Sequence, residues 1–139
     1  MATYEFISLK CVSQNELGGD EIFVEYGGVQ VYPKSGFGAS FSTNDVVVNG
    51  DAILGPEDRE RLLGIEGASP VEAYEGVDSF LRTSVPTHGL VIQVWERDLL
   101  SANDLLGKVI VFPNPTGGPV LKRLDGPLTG VYELTYQVL

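Results

Sequence analysis

The stretch "VWERDLLSANDLLG" (94–107) decides how the rest of the chain is read. It starts as an alternating apolar strand and runs out into Glu96 and Asp98, then Asn103-Asp104, before Gly107 leads into another apolar run. Acids two apart at a strand end leave it on the same side, roughly 7 Å from each other. Like charges held that close repel unless a cation or hydrogen bonds offset them. Calcium is the hard cation suited to such a loop, because it takes about six to eight oxygens, largely from carboxylates on flexible segments. The plain alternative is a well-solvated turn that happens to be acidic.

On either side of this loop, period-two alternation dominates, which argues for β structure. Ile7, Leu9 and Cys11 alternate with Ser8 and Lys10, and Ile22, Val24 and Tyr26 alternate with Glu21, Phe23 and Glu25. Gly27-Gly28 permits a tight reversal into "VQVYP", and Asn49-Gly50 suits a type I′ hairpin between 45–48 and 51–54. Further strands are expected at 89–96, 105–112, 120–124 and 131–139, the last pinning the C-terminus in a sheet. One short helix is expected in "GPEDRERLLGIEG" (55–67), with Pro56 at its first turn, Glu57 spaced to pair with Arg61, and Gly64 as a stop. Segments 34–44, 67–79 and 113–119 read as loops by their Gly, Pro and Ser content. The sum is one domain over 1–139, an all-β antiparallel eight-stranded β-sandwich with one short helix in a loop. A fold of this kind does not name a function.

With 139 residues the chain can bury a self-sufficient core. No run approaches the roughly 18 apolar residues of a spanning helix, and the N-terminus reads as a first strand, not a signal peptide. The formal net charge of −10 opposes binding to nucleic acid and to anionic lipid, both of which need basic neutralisation. The single cysteine, Cys11, rules out an internal disulfide and reads as a buried thiol, with cytoplasmic residence the default.

At this point the residues look like a family. "LVIQVWERDLLSANDLLGKVIV" (90–111) resembles two consecutive strands, and the loop between them, of C2 domains, eight-stranded sandwiches that bind calcium, phospholipid or proteins at loops clustered on one end. The resemblance implies that Glu96, Asp98 and Asp104 take the family's acidic loop positions, with the Asn103 side-chain oxygen beside them. Glu96 departs from the usual Asp. "LKCVSQNELGGDEIFVEY" (9–26) is similar in outline to the family's other calcium loop. Asp20 falls on its second acid, while Gln14 or Asn15 stands where the first should be. One weakened calcium site is therefore expected in place of a full multi-calcium cradle. The basic lipid-binding strand of the family is not evident, so a protein partner is favoured over a membrane.

Other features read more plainly. Trp95 points away from the Leu90, Ile92, Val94 face and reads as packing on the far side of its sheet. His88, alone, cannot anchor zinc. "GFGAS" (36–40) lacks the context of a phosphate loop, but Phe37 and Phe41 near it are candidate partner-binding aromatics. Neither a nucleophile elbow, a histidine cluster nor a nucleotide fingerprint is present, so no enzyme is expected. The expectation is a soluble, non-catalytic binding module with a single Ca2+ site at Asp20, Glu96, Asp98, Asn103 and Asp104. The rival is a structural or assembly subunit, homo-oligomeric in one form, that uses the sandwich as a metal-free scaffold.

Overall fold

Alternation in the sequence becomes two β-sheets packed over one core. The computed structural model describes residues 2–15, 19–33, 38–48, 68–70, 78–98, 102–126 and 130–139. Eleven strands occur among them: β1 (Thr3–Ser13), β2 (Asp20–Tyr26), β3 (Val29–Tyr32), β4 (Ala39–Phe41), β5 (Val46–Val48), β6 (Ala68–Pro70), β7 (Arg82–Ser84), β8 (Leu90–Glu96), β9 (Asp104–Val111), β10 (Val120–Leu124) and β11 (Val131–Val138). The first sheet runs β10-β11-β1-β5-β6 with β7 also paired to β1, and the second runs β3-β2-β8-β9 with β4 also paired to β2. The fold class is the expected all-β sandwich. It departs from the expectation in having more than eight strands, several only three residues long, and in one parallel pairing, β5 with β6. The expected helix at 55–67 and the second half of the Asn49-Gly50 hairpin lie outside the described residues.

Register follows the apolar pattern except where β1 is interrupted. Phe6 pairs with Tyr136 and Ser8 with Thr135, so Ile7 is an extra residue, a bulge. The bulge switches which parity faces inward. Tyr4 and Phe6 point into the core before it, Leu9 and Cys11 after it, and Ile7 stands outside the core cluster. The single face Ile7–Leu9–Cys11 read from alternation is corrected accordingly. At the other end of β2, Gly27 and Gly28 have φ of +60° and +85°, the positive pair that a type I′ hairpin requires. The termini are held together, since Thr3 N–H donates to Leu139 O at 3.1 Å and Leu139 N–H to Thr3 O at 2.8 Å.

The stretch 67–79, which reads as loop in the sequence, contains β6 and the start of a short helix, α1 (Asp78–Leu81). The helix carries Phe80 into the core, where the ring packs 4.4 Å from Phe6 and 4.6 Å from Tyr32, centroid to centroid. The Phe80 carbonyl accepts from the Tyr26 hydroxyl at 2.8 Å, and that hydroxyl lies 3.0 Å from the Tyr4 hydroxyl of the opposite sheet. Burial pushes both tyrosines far above their ordinary range, so both stay protonated. Just beyond α1, Arg82 Nε donates at 2.9 Å to the buried Glu5 carboxylate, whose other oxygen accepts from Gln137 Nε2 at 2.8 Å. Phe80 thus plugs the sandwich between the sheets. Truncation by Phe80→Ala is expected to destabilise by about 3–5 kcal/mol, read as a lower urea midpoint at unchanged slope. A loss below ~1 kcal/mol would mean the helix is an ornament on a core closed without it.

Candidate functional site

Three strand ends and three strand starts lie at one end of the sandwich. β1 ends at Ser13, β8 at Glu96 and β10 at Leu124, while β2 starts at Asp20, β9 at Asp104 and β11 at Val131. Every residue proposed from the sequence as a calcium ligand lies at this end.

Asp20 is fully buried, and the structure shows why a carboxylate can sit there. Tyr132, on the opposite sheet, donates its hydroxyl to Asp20 Oδ2 at 2.7 Å. The Asn15 backbone N–H is shared between the two carboxylate oxygens at 3.0 and 3.2 Å. Burial, then hydrogen bonds to Cys11 and Asp20, drives the Tyr132 hydroxyl far above its ordinary range, so it is a permanent donor. Gly130 completes the arrangement. A Cβ there would lie 2.7 Å from Ser13 O and 2.9 Å from Asp20 Oδ2, so only glycine admits the carboxylate. Asp20 therefore works as an inter-sheet clamp, a role the sequence did not reveal. Tyr132 and Gly130 were missed because their partner is more than a hundred residues away in the chain. The positions of the first acid in this loop are also engaged: Gln14 Oε1 accepts from Thr43 N–H at 2.8 Å while Gln14 N–H donates to Thr43 Oγ1 at 3.1 Å.

The second loop is arranged differently. Glu96, 1 % exposed, continues the inward-facing row of Leu90, Ile92 and Val94, flanked in register by Ile22 on one side and Asp104 on the other. Asp104 is exposed and Asp98 half-buried. The Asn103 side-chain oxygen accepts from the Asp98 backbone N–H at 3.0 Å, so it pins the turn shut. Gly107 serves packing: a Cβ there would lie 2.6 Å from Leu124 Cδ2, so the glycine is what lets β9 approach β10. The donors are hard oxygens of the kind calcium prefers. Among the described residues, however, no three Asp, Glu, His or Cys side chains gather closely enough to hold a metal ion.

The aromatic candidates are placed as follows. Phe41 is 1 % exposed and meets Tyr132 edge-on at 5.9 Å, so it is a core residue and not a surface contact; β4 carries it inward beside Asp20. Phe37 lies outside the described residues. Trp95 stacks parallel to Phe23 at 6.2 Å on the outer face of the second sheet, with the Arg97 guanidinium 4.3 Å over the Phe23 ring. His88 is exposed in the turn before β8. No helix among the described residues is long and apolar enough to cross a membrane.

No protein-family model matches the chain, and no curated protein matches it. Among solved structures it is similar to human GIVD cytosolic phospholipase A2 in complex with methyl gamma-linolenyl fluorophosphonate. The TM-score is 0.41 and the identity 10%, over 99% of this chain and 16% of that one. It is similar also to the same human enzyme with that inhibitor and terbium chloride, at a TM-score of 0.40 and 11% identity, over 99% of this chain and 17% of that one. The chain thus spans about a sixth of the length of each.

The clamp makes two checkable demands. Tyr132→Phe leaves the buried Asp20 oxygen without its donor and is expected to cost about 1–3 kcal/mol in chemical denaturation. In the Asp20→Asn background the same change is expected to cost measurably less, a coupling that an equal loss in both backgrounds would refute. Cys11, fully buried and with its thiol pushed up mainly by burial, is expected to react with a disulfide reagent at pH 8 only as fast as the protein unfolds. Rapid labelling of folded protein would show that this end of the core opens.

Proposed function

We propose that the chain is a non-catalytic binding module whose loop end holds one calcium ion through Glu96, Asp98 and Asp104, and that a protein partner reads the stiffened end. The observation that supports this most is the register of β8 and β9, which sets Glu96 directly opposite Asp104. Directly opposed like charges destabilise a sheet pair, and a divalent cation removes that repulsion while drawing in the nearby Asp98. The C2-like pattern of residues 90–111 points the same way. Asp20 and Asn103, committed to the clamp and the turn, have structural roles in this reading: one fixes the neighbouring loop, the other sets the path of the backbone through Asp98. Bound calcium would supply positive charge and stiffness; the chain supplies the oxygens and the frame.

A metal-free assembly scaffold is the second reading, and the absence of a three-donor cluster among the described residues favours it. Thermal unfolding of chelator-stripped protein separates the two. At calcium about a hundredfold above its dissociation constant, linkage adds roughly 2.7 kcal/mol, a shift of several degrees. The shift is expected with calcium, not with equal magnesium, and is expected to vanish in the Asp98→Asn/Asp104→Asn variant. An unchanged midpoint with calcium would leave the scaffold reading standing.

A further inference from the structure

Exposed apolar side chains in this protein are unevenly distributed. Among the described residues the large ones are Val29, Leu105, Ile110, Phe112, Leu121 and Leu139, and four of these six lie between 105 and 121. The same part of the chain has an unusual charge. From Leu105 to Leu124 there are three basic residues, Lys108, Lys122 and Arg123, and no acid, in a protein whose net charge is −10. The fold concentrates both features on one side wall, because β9 ends the second sheet and β10 ends the first. The two edges meet where Gly126 N–H donates to Leu106 O at 2.9 Å and where Gly107 admits Leu124.

β10 is the open element of this wall. Among the described residues it pairs with β11 alone, and Leu121, Lys122 and Arg123 are all exposed. Arg123 faces Glu133 across the pair, whereas Lys122 faces Leu134 and, on β9, Lys108 faces Gln93, so two of the three cations meet no acid in register. An edge strand offers a row of backbone N–H and C=O groups that a further strand can pair with. We propose that β10 accepts an extended acidic segment of a partner protein as an added strand. Acids opposite Lys122 and Arg123 would set its register, and an apolar side chain would lie against Leu121.

Three physical arguments select this occupant. Hydrocarbon cannot satisfy the backbone groups of an edge strand, so a bilayer is a poor match for the wall despite its charge. Self-pairing of β10 about a two-fold axis at Lys122 would set Lys122 against its own copy, and like charges directly opposite destabilise. An acidic strand satisfies backbone and side chains together, the mode in which main-chain bonds give affinity and side chains specificity. This surface lies on the side wall and does not require the calcium site, so it can stand or fall independently of that reading.

The test uses the full chain and a fluorescein-labelled octapeptide of alternating valine and threonine with two central glutamates, beside a counterpart carrying two lysines. Fluorescence anisotropy in low salt with chelator is expected to show binding of the glutamate peptide alone, weakening as salt rises. Lys122→Glu/Arg123→Glu is expected to lose at least about tenfold in affinity. Leu121→Ser, which keeps the charges, is expected to lose affinity severalfold while near-ultraviolet circular dichroism shows both variants folded. Absence of glutamate-peptide binding, or equal binding by the charge-reversed variant, would overturn the proposal. So would pelleting with phosphatidylserine vesicles that depends on Lys122, which would assign the wall to lipid. Sedimentation of wild type as a dimer and of the charge-reversed variant as a monomer would equally overturn it, assigning the wall to a second copy.

Discussion

The hydrogen bond from the Tyr132 hydroxyl to Asp20 fixes one sheet of the sandwich against the other. Apolar contact between two sheets is non-directional, so the core alone leaves their relative position loosely specified. A fully buried donor and acceptor must find each other, and only one placement of β2 over β11 allows it. Gly130 gives up its side chain to make room, and the Asn15 backbone adds the second donor. A second directional link joins the sheets through the Tyr4 and Tyr26 hydroxyls and the Phe80 carbonyl. Between these two polar crossings the aromatic and aliphatic side chains have a defined frame in which to pack.

This frame sorts the carboxylates by role. Glu5 and Asp20 are buried and bonded to named donors, and they serve the architecture. Asp98 and Asp104 reach solvent at the mouth of the β8–β9 turn, with Glu96 buried behind them. The formal charge of −10 is therefore not one undivided surface property. Part of it is consumed inside the fold, part stands at the loop end, and the β9–β10 wall is basic. If both proposals hold, such segregated charge would let unlike partners bind different faces without competing.

Much of the sandwich was legible because period-two alternation reports directly on which side of a strand is buried. β10 was read with its observed limits, β8, β9 and β11 to within a residue, and the Gly27-Gly28 hairpin has the required backbone. The bulge at Ile7 was hidden because an inserted residue leaves alternation locally intact on both sides and changes only the parity between them. Phe80 was missed because a four-residue helix has too few positions to show a period. The loop end was legible in its residue types but not in their assignments. A local motif gives the spacing of Glu96, Asp98 and Asp104, whereas the capture of Asp20 by Tyr132 depends on a contact spanning 112 residues. Asn103 was read as a donor to metal, while its oxygen closes the turn on Asp98.

The division of labour between a structural Asp20 and an available β8–β9 turn is most directly tested by amide chemical-shift mapping during a calcium titration of the intact chain. Saturable shifts confined to residues about the β8–β9 turn, with Asn15, Asp20, Gly130 and Tyr132 unmoved, are the predicted result. Shifts centred on Asn15 and Asp20 would contradict it, because calcium would then be competing with Tyr132 for the clamp carboxylate. A spectrum that does not move would contradict the metal site itself.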